Sequence, residues 1–136
     1  MHTKIPPLLL AIAMAALAVM AQTGSPALAP ARSQDETVTL GYMRTVVYAQ
    51  KIYQKKNGAY ATSLAALVHS GSFTKRMATT DRGTYTVQFH GKPTGYSLVL
   101  TPKQFAADHR SFYVDETGKI RAEEDKPATA ESPLLR

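Results

Sequence analysis

Not one of the 136 residues is cysteine, and none is tryptophan. Without cysteine there is no disulfide framework and no attachment point for a lipid behind a leader, so packing alone must hold the fold. Acids are scarce as well. Ten Asp and Glu stand against sixteen Lys and Arg, a net charge of +6. That balance suits an acidic partner such as nucleic acid, an anionic surface or an acidic polysaccharide, and it is equally what a solvated surface carries. Histidine is sparse: beyond His2 there are His69, His90 and His109, with no spacing that gathers them as metal ligands. No internal repeat is present, and the length allows one domain with one modest core.

What is present begins with an apolar run. Met1-His-Thr-Lys4 is a short basic start, and Ile5 to Ala21 is apolar apart from Pro6-Pro7. This is the pattern of a secretory leader, with small-x-small cut sites after Ala21, Ala29 or Ala31, Ala21 being favoured. The seventeen positions from 5 to 21 fall short of a spanning helix, which needs ~20, so an uncleaved anchor is the second reading. Cleavage removes only Lys4 among the Lys, Arg, Asp and Glu residues, and the basic balance survives it. Export to the periplasm or the medium is expected. Residues 22–34, with Gly24, Pro26 and Pro30, read as a linker.

From Asp35 to Lys56 the pattern is helical. Val38, Tyr42, Val46, Ala49 and Tyr53 recur at spacings of three and four and form one apolar stripe, flanked by Ile52. Arg44, Lys51 and Lys55 share a polar side. Asp35 and Glu36 at the start and Lys55 and Lys56 at the end complement the helix dipole. A second apolar set, Leu40, Met43 and Val47, lies nearly opposite the stripe and needs cover from the domain or from a partner. We expect these three residues at the domain edge, partly uncovered, as a protein-contact patch.

Asn57-Gly58 closes the helix, because both residues tolerate the left-handed backbone, and Thr62 or Ser63 can cap a short turn that buries Leu64 and Leu67. Residues 69–83 read as a polar, basic loop. The period then changes to two. Tyr85, Val87 and Phe89 alternate with polar residues, Gly91 to Gly95 is a turn, and Tyr96, Leu98 and Leu100 alternate until Pro102. Phe112 and Val114 share a face in a further strand, Asp115 to Gly118 turns, and Lys119-Ile-Arg121 returns. Ala122 to Arg136 reads as a flexible tail. One helix with apolar stripes and three to four antiparallel strands with one apolar face each imply an α+β domain over 35–121.

Met43-Arg-Thr-Val-Val-Tyr-Ala-Gln-Lys-Ile-Tyr53, then Asn57-Gly-Ala-Tyr-Ala, then Ser63-Leu-Ala-Ala-Leu67, resembles the head domain of type IV pilins and type II secretion pseudopilins. Gly95-Tyr-Ser-Leu and Arg110-Ser-Phe-Tyr-Val-Asp-Glu-Thr-Gly-Lys-Ile-Arg121 continue the likeness, which covers about residues 38–121. It implies a long helix on an antiparallel sheet and a role in assembly through protein contacts. The family's leader ends in glycine and is followed by Phe-Thr-Leu-x-Glu and a continuous apolar stem. This chain has neither, so it reads as a pilin head without a pilin stem.

Catalytic chemistry is not expected, nor any cofactor. Asp108-His109 with Ser111 suggests a triad, yet neighbours on a chain seldom face each other usefully, and no glycine elbow surrounds Ser111. Asp108, Asp115 and Glu116 are the weak calcium candidates, since some pseudopilins hold that ion in their C-terminal loops, although no dense run of oxygen ligands supports them. Lys51, Lys55, Lys75, Arg76 and Arg82 are the weak candidates for an anionic ligand, with no interleaved aromatics. The expected role is a non-enzymatic, exported protein acting through protein contacts. A secreted module for an anionic ligand is second and a small hydrolase third.

Overall fold

Ser33 sets the start of the long helix. It is extended (φ −154°, ψ 168°), and its hydroxyl accepts the amide of Glu36 at 3.1 Å, so α1 runs Gln34–Asn57. At the other end Gly58 takes φ 74° and donates its N–H to the carbonyl of Gln54 at 2.8 Å. The computed structural model describes residues 31–136. The leader expected over 1–21 and the linker up to residue 30 lie outside the described residues. The last linker positions belong to the domain: Ala31 packs on the core, and Arg32 donates to the carbonyl of Ala107 and the carboxylate of Glu124.

The two apolar sets on α1 are two halves of one broad buried face. Glu36, Thr39, Leu40, Tyr42, Met43, Val46, Ala49 and Gln50 are all buried, an arc of about half the circumference. Leu40 and Met43 are 1% and 0% exposed, so they are not an uncovered contact patch; Val47 alone of that set is half-buried, with Gly118 beside it. The stripe is misplaced at its ends instead. Val38 is 56% exposed and Tyr53 half-buried. The burial is two-sided because α1 is flanked on both sides.

On one side lies the segment after the helix. A 3-10 turn at Ala65–Leu67, whose Ala66 amide donates to the Ser63 hydroxyl, is followed by a second at Lys75–Ala78. Residues 69–83 are therefore not merely a polar loop. Phe73 is buried against Tyr42 (centroids 6.5 Å apart), and the Tyr42 hydroxyl donates to the carbonyl of Met77 at 3.0 Å. A lone phenylalanine among polar neighbours carries no period, which is why the sequence pattern does not show it.

The sheet has five antiparallel strands in sequence order: β1 (Asp81–Arg82), β2 (Tyr85–Lys92), β3 (Gly95–Pro102), β4 (Ser111–Asp115) and β5 (Arg121–Glu123). The expectation of three to four falls one short because β1 is only two residues long and has no alternation to read. Tyr85, Val87, Leu98, Leu100, Phe112 and Val114 face α1, as their period-two spacing implies. Residues 122–136 are no loose tail. Ala122 donates to the carbonyl of Pro133 and Leu135 to that of Ile120, so residues 133–135 run along the outer edge of β5. Leu135 packs against the cluster that holds Leu40 and Met43, and Ala128 is buried, its amide held by the Ser111 hydroxyl.

The Asn-Gly stop serves to bring the chain across to the sheet. Gln50, wholly buried, donates its amide to the carbonyl of Ala61 at 3.0 Å and accepts the N–H of Ala61 at 2.9 Å. Tyr60 donates to the carbonyl of Pro93 in the β2–β3 turn at 3.0 Å. The segment after the helix is thus fastened to both layers.

Candidate functional site

The chemistry-bearing side chains gather where α1 begins and β4 is about to start. Two consecutive acids on the first turn, Asp35 and Glu36, face two consecutive basic residues, His109 and Arg110. Glu36 and Arg110 are 0% and 6% exposed. The Arg110 guanidinium donates through Nε and an Nη to both oxygens of Glu36 (3.0 and 2.9 Å), and the amides of Arg110 and Arg32 add bonds at 3.0 and 2.7 Å. Burial pushes the Glu36 carboxyl up, but these four donors outweigh it and hold its pKa below the usual glutamate value. The result is a buried ion pair whose carboxylate accepts four hydrogen bonds, a geometry suited to fixing register.

His109 is bonded on both ring nitrogens: Nε2 meets Asp35 Oδ2 and Nδ1 meets Asp108 Oδ1, each at 2.9 Å. Thr84 donates a hydroxyl to the same Asp35 oxygen at 3.1 Å, and the imidazole stacks on Tyr85 at 6.2 Å. The bond to Asp35, then that to Asp108, pushes the His109 pKa up, and both carboxyls are pulled down chiefly by His109. Asp108 therefore does face its chain neighbour, contrary to the sequence expectation. A cleft of about 560 Å³ opens beside the cluster, lined by Gly83, Thr84, Lys103, Phe105, Ala106 and His109.

A catalytic base needs a free nitrogen aimed at a nucleophile. Here both nitrogens serve carboxylates. Ser111 is buried, donates to the carbonyl of Leu100 at 3.0 Å and accepts the amide of Ala128 at 2.9 Å. The residues of the suspected triad are thus present but committed elsewhere, and the cluster joins the start of α1 to the β3–β4 connection. Sequence reading assigned Asp35 and Glu36 to the helix dipole alone. The overlooked signals were Ser33-Gln-Asp-Glu36, a capping-box spacing, and the basic pair His109-Arg110.

The other candidate residues are scattered. Asp108 precedes β4, whereas Asp115 is its last residue and Glu116 follows it, so the calcium candidates do not converge. Asp115 accepts from the amide and hydroxyl of Thr117 (3.0 and 2.6 Å), while Glu116 accepts the amide of Tyr96. Among the described residues no group of three His, Asp or Glu is placed to hold a metal ion. The cations do not form one surface either. Arg82 lies 3.9 Å over the Tyr42 ring. Lys51 is nine residues from Tyr42, about two and a half turns, and so faces away from it. Lys75 and Arg76 sit on the second 3-10 turn, and Lys55 stays with Lys51.

The His109 bridge predicts a particular pH dependence. Its folded pKa lies above the ordinary 6.5, so its stabilisation is complete below that value and is lost as pH rises through the raised one. The depressed Asp35 and Asp108 act in the opposite sense. Their contribution is present above the ordinary 3.8 and is lost as pH falls through the lowered values. Urea midpoints of the wild-type chain and His109→Gln should differ most between these two ranges and converge on either side. A difference that is flat from acid to alkaline pH would mean that His109 is not an ion-pair bridge.

Comparison with protein families, with curated proteins and with solved structures finds no match to this chain.

Proposed function

We propose that this is an exported, non-enzymatic, pilin-head-like domain that acts through contacts with proteins of the cell envelope or of a pilus- or secretion-type assembly. One observation carries the reading. A 24-residue helix lies on an antiparallel meander, and between the Asn57-Gly58 stop and the Ser63–Leu67 turn Ala61 is bonded to α1 and Tyr60 to the β2–β3 turn, in the order the pilin-like resemblance implies. The hydrogen-bonding of the best polar cluster supports binding over catalysis, since the groups that would transfer protons hold the fold instead.

The test has two arms. Mass spectrometry of the exported chain should find a start between Gln22 and Arg32, produced by a general signal peptidase. An intact Met1 or a methylated N-terminus would overturn the export route. Photocrosslinking residues placed at exposed Gln88, Thr117 and Leu134 in the producing cell should yield discrete protein adducts from at least one position. Silence at all three, together with hydrolytic activity that disappears in a still-folded variant with His69, His90 and His109 replaced, would favour an enzyme instead.

A further inference from the structure

We propose that the outward face of α1 binds an anionic lipid surface. Among the described residues, Val38 (56% exposed), Tyr48 (59%) and Leu134 (40%) are the large apolar side chains left open to water, and the first two lie on this face. Tyr48 stands at its centre. Arg44, Lys51 and Lys55 are four residues before it and three and seven after it, which places all three on the same ridge. Ile52, half-buried, follows one turn later, and Thr45 and Gly41 precede at three and seven. Among the described residues, a methyl group built at Gly41 would meet nothing within 4 Å, so the face is open at that position.

Charge decides between the possible occupants. After Glu36 the helix carries no acid, while Arg44, Lys51, Lys55 and Lys56 are all cationic. Among the described residues none of these four forms an ion pair. A convex apolar ridge flanked by cations suits a flat, anionic and deformable surface better than a groove, and that describes the headgroup layer of an anionic membrane. From Val38 to Lys55 the ridge is about 26 Å long at 1.5 Å per residue. Tyrosine is the residue expected at such a boundary, with its ring in the acyl margin and its hydroxyl among headgroups. The loop beneath supports the ring without covering it: a methyl group at Gly71 would come within 3.1 Å of both Tyr48 Cδ1 and Ile52 Cδ1. The face borders the His109 cluster only at Val38, which shares a cleft with Asp35, and its binding does not depend on the role proposed above.

Because the chain has no tryptophan, Tyr48→Trp supplies a single fluorescent reporter on the face. The exported chain, as the cell processes it, is mixed with vesicles of phosphatidylglycerol and phosphatidylcholine in equal parts, or of phosphatidylcholine alone. Emission of the variant should shift to the blue with the anionic vesicles only, and the shift should fade with added salt. Lys51→Ala with Lys55→Ala should weaken the association about thirtyfold, roughly fivefold for each charge withdrawn. Both lysines are exposed, so the thermal midpoint serves as a folding control and should not move. No shift with the anionic vesicles, equal binding to neutral ones, or an undiminished affinity in the folded double variant would overturn the proposal. So would a blue shift that grows with protein concentration in the absence of vesicles, because a second copy of the chain would then occupy the face.

Discussion

Arg110→Met should lower the stability of the domain by roughly 3–5 kcal/mol, the range for removing one partner of a buried ion pair. Methionine fills most of the space, so the loss is electrostatic and not a cavity effect. Glu36 would remain wholly buried, with only the amides of Arg32 and Arg110 as donors. The pH dependence separates this cause from a general packing defect. In the wild-type chain the Glu36 pKa is depressed, so its stabilisation is present above the ordinary 4.5 and lost as pH falls through the lowered value. In the variant, burial without the guanidinium favours the protonated carboxyl, and acidification relieves the unpaired charge. The gap in urea midpoints between the two chains should therefore narrow as pH falls. Adding Glu36→Gln should recover part of the loss but not all of it, because one amide oxygen cannot accept both backbone donors as well as the carboxylate does. A cost under ~0.5 kcal/mol for Arg110→Met, the level of an ordinary surface change, would mean that the pair contributes little.

The long-range character of this pair explains which parts of the fold the sequence discloses. Glu36 and Arg110 are 74 positions apart, and no local pattern links them. The period-two spacing of Tyr85, Val87, Phe89, Tyr96, Leu98, Leu100, Phe112 and Val114 is local, and all but the half-buried Phe89 are buried as that spacing implies. The helix end was legible for the same reason, since the adjacent pair Asn57-Gly58 marks a left-handed stop, and Gly58 takes the positive φ it implies. Its face was harder to read. Leu40 and Met43 read as a separate patch because a wheel shows directions around a helix and not what stands there. With the 3-10 segment on one side and the β5 edge with Leu135 on the other, both sets fall inside. The tail was misread because its ordering depends on single apolar residues and backbone bonds, Ala128 and Leu135 among them, which a composition average does not register. Of the site, the residues Asp108, His109 and Ser111 were visible as a group, but their bonding partners Asp35, Leu100 and Ala128 were not.

Among the described glycines Gly91→Ala should be the most damaging change to alanine, costing about 2–5 kcal/mol as overpacking together with disturbed buried hydrogen bonds. Its φ is not the reason, since Gly91 is absent from the residues with positive φ. Space is. A Cβ built there would lie 2.6 Å from the Thr62 Cα, 2.7 Å from the Ala61 oxygen and 2.8 Å from the Thr62 carbonyl carbon. All three are backbone atoms, so no rotamer change relieves the contact, and the Ala61–Thr62 segment must lift away from β2. That same Ala61 is held through both its N–H and its carbonyl by the buried Gln50 amide. Moving it leaves Gln50 with unmet donors and acceptors inside the helix–sheet interface, and it strains the bond from Tyr60 to the β2–β3 turn. Gly95→Ala, four residues on in the same hairpin, is the control. The atoms nearest its Cβ would be those of the Glu116 carboxylate, at 3.0–3.3 Å, on a flexible side chain that can swing aside. Its cost should stay within ~1 kcal/mol. Measured by urea denaturation, the two alanine variants should separate clearly, with protease cleavage appearing first near residues 58–62 in the Gly91 variant. Equal stability of the two would show that the crossing of the post-helical segment over β2 is looser than these distances require.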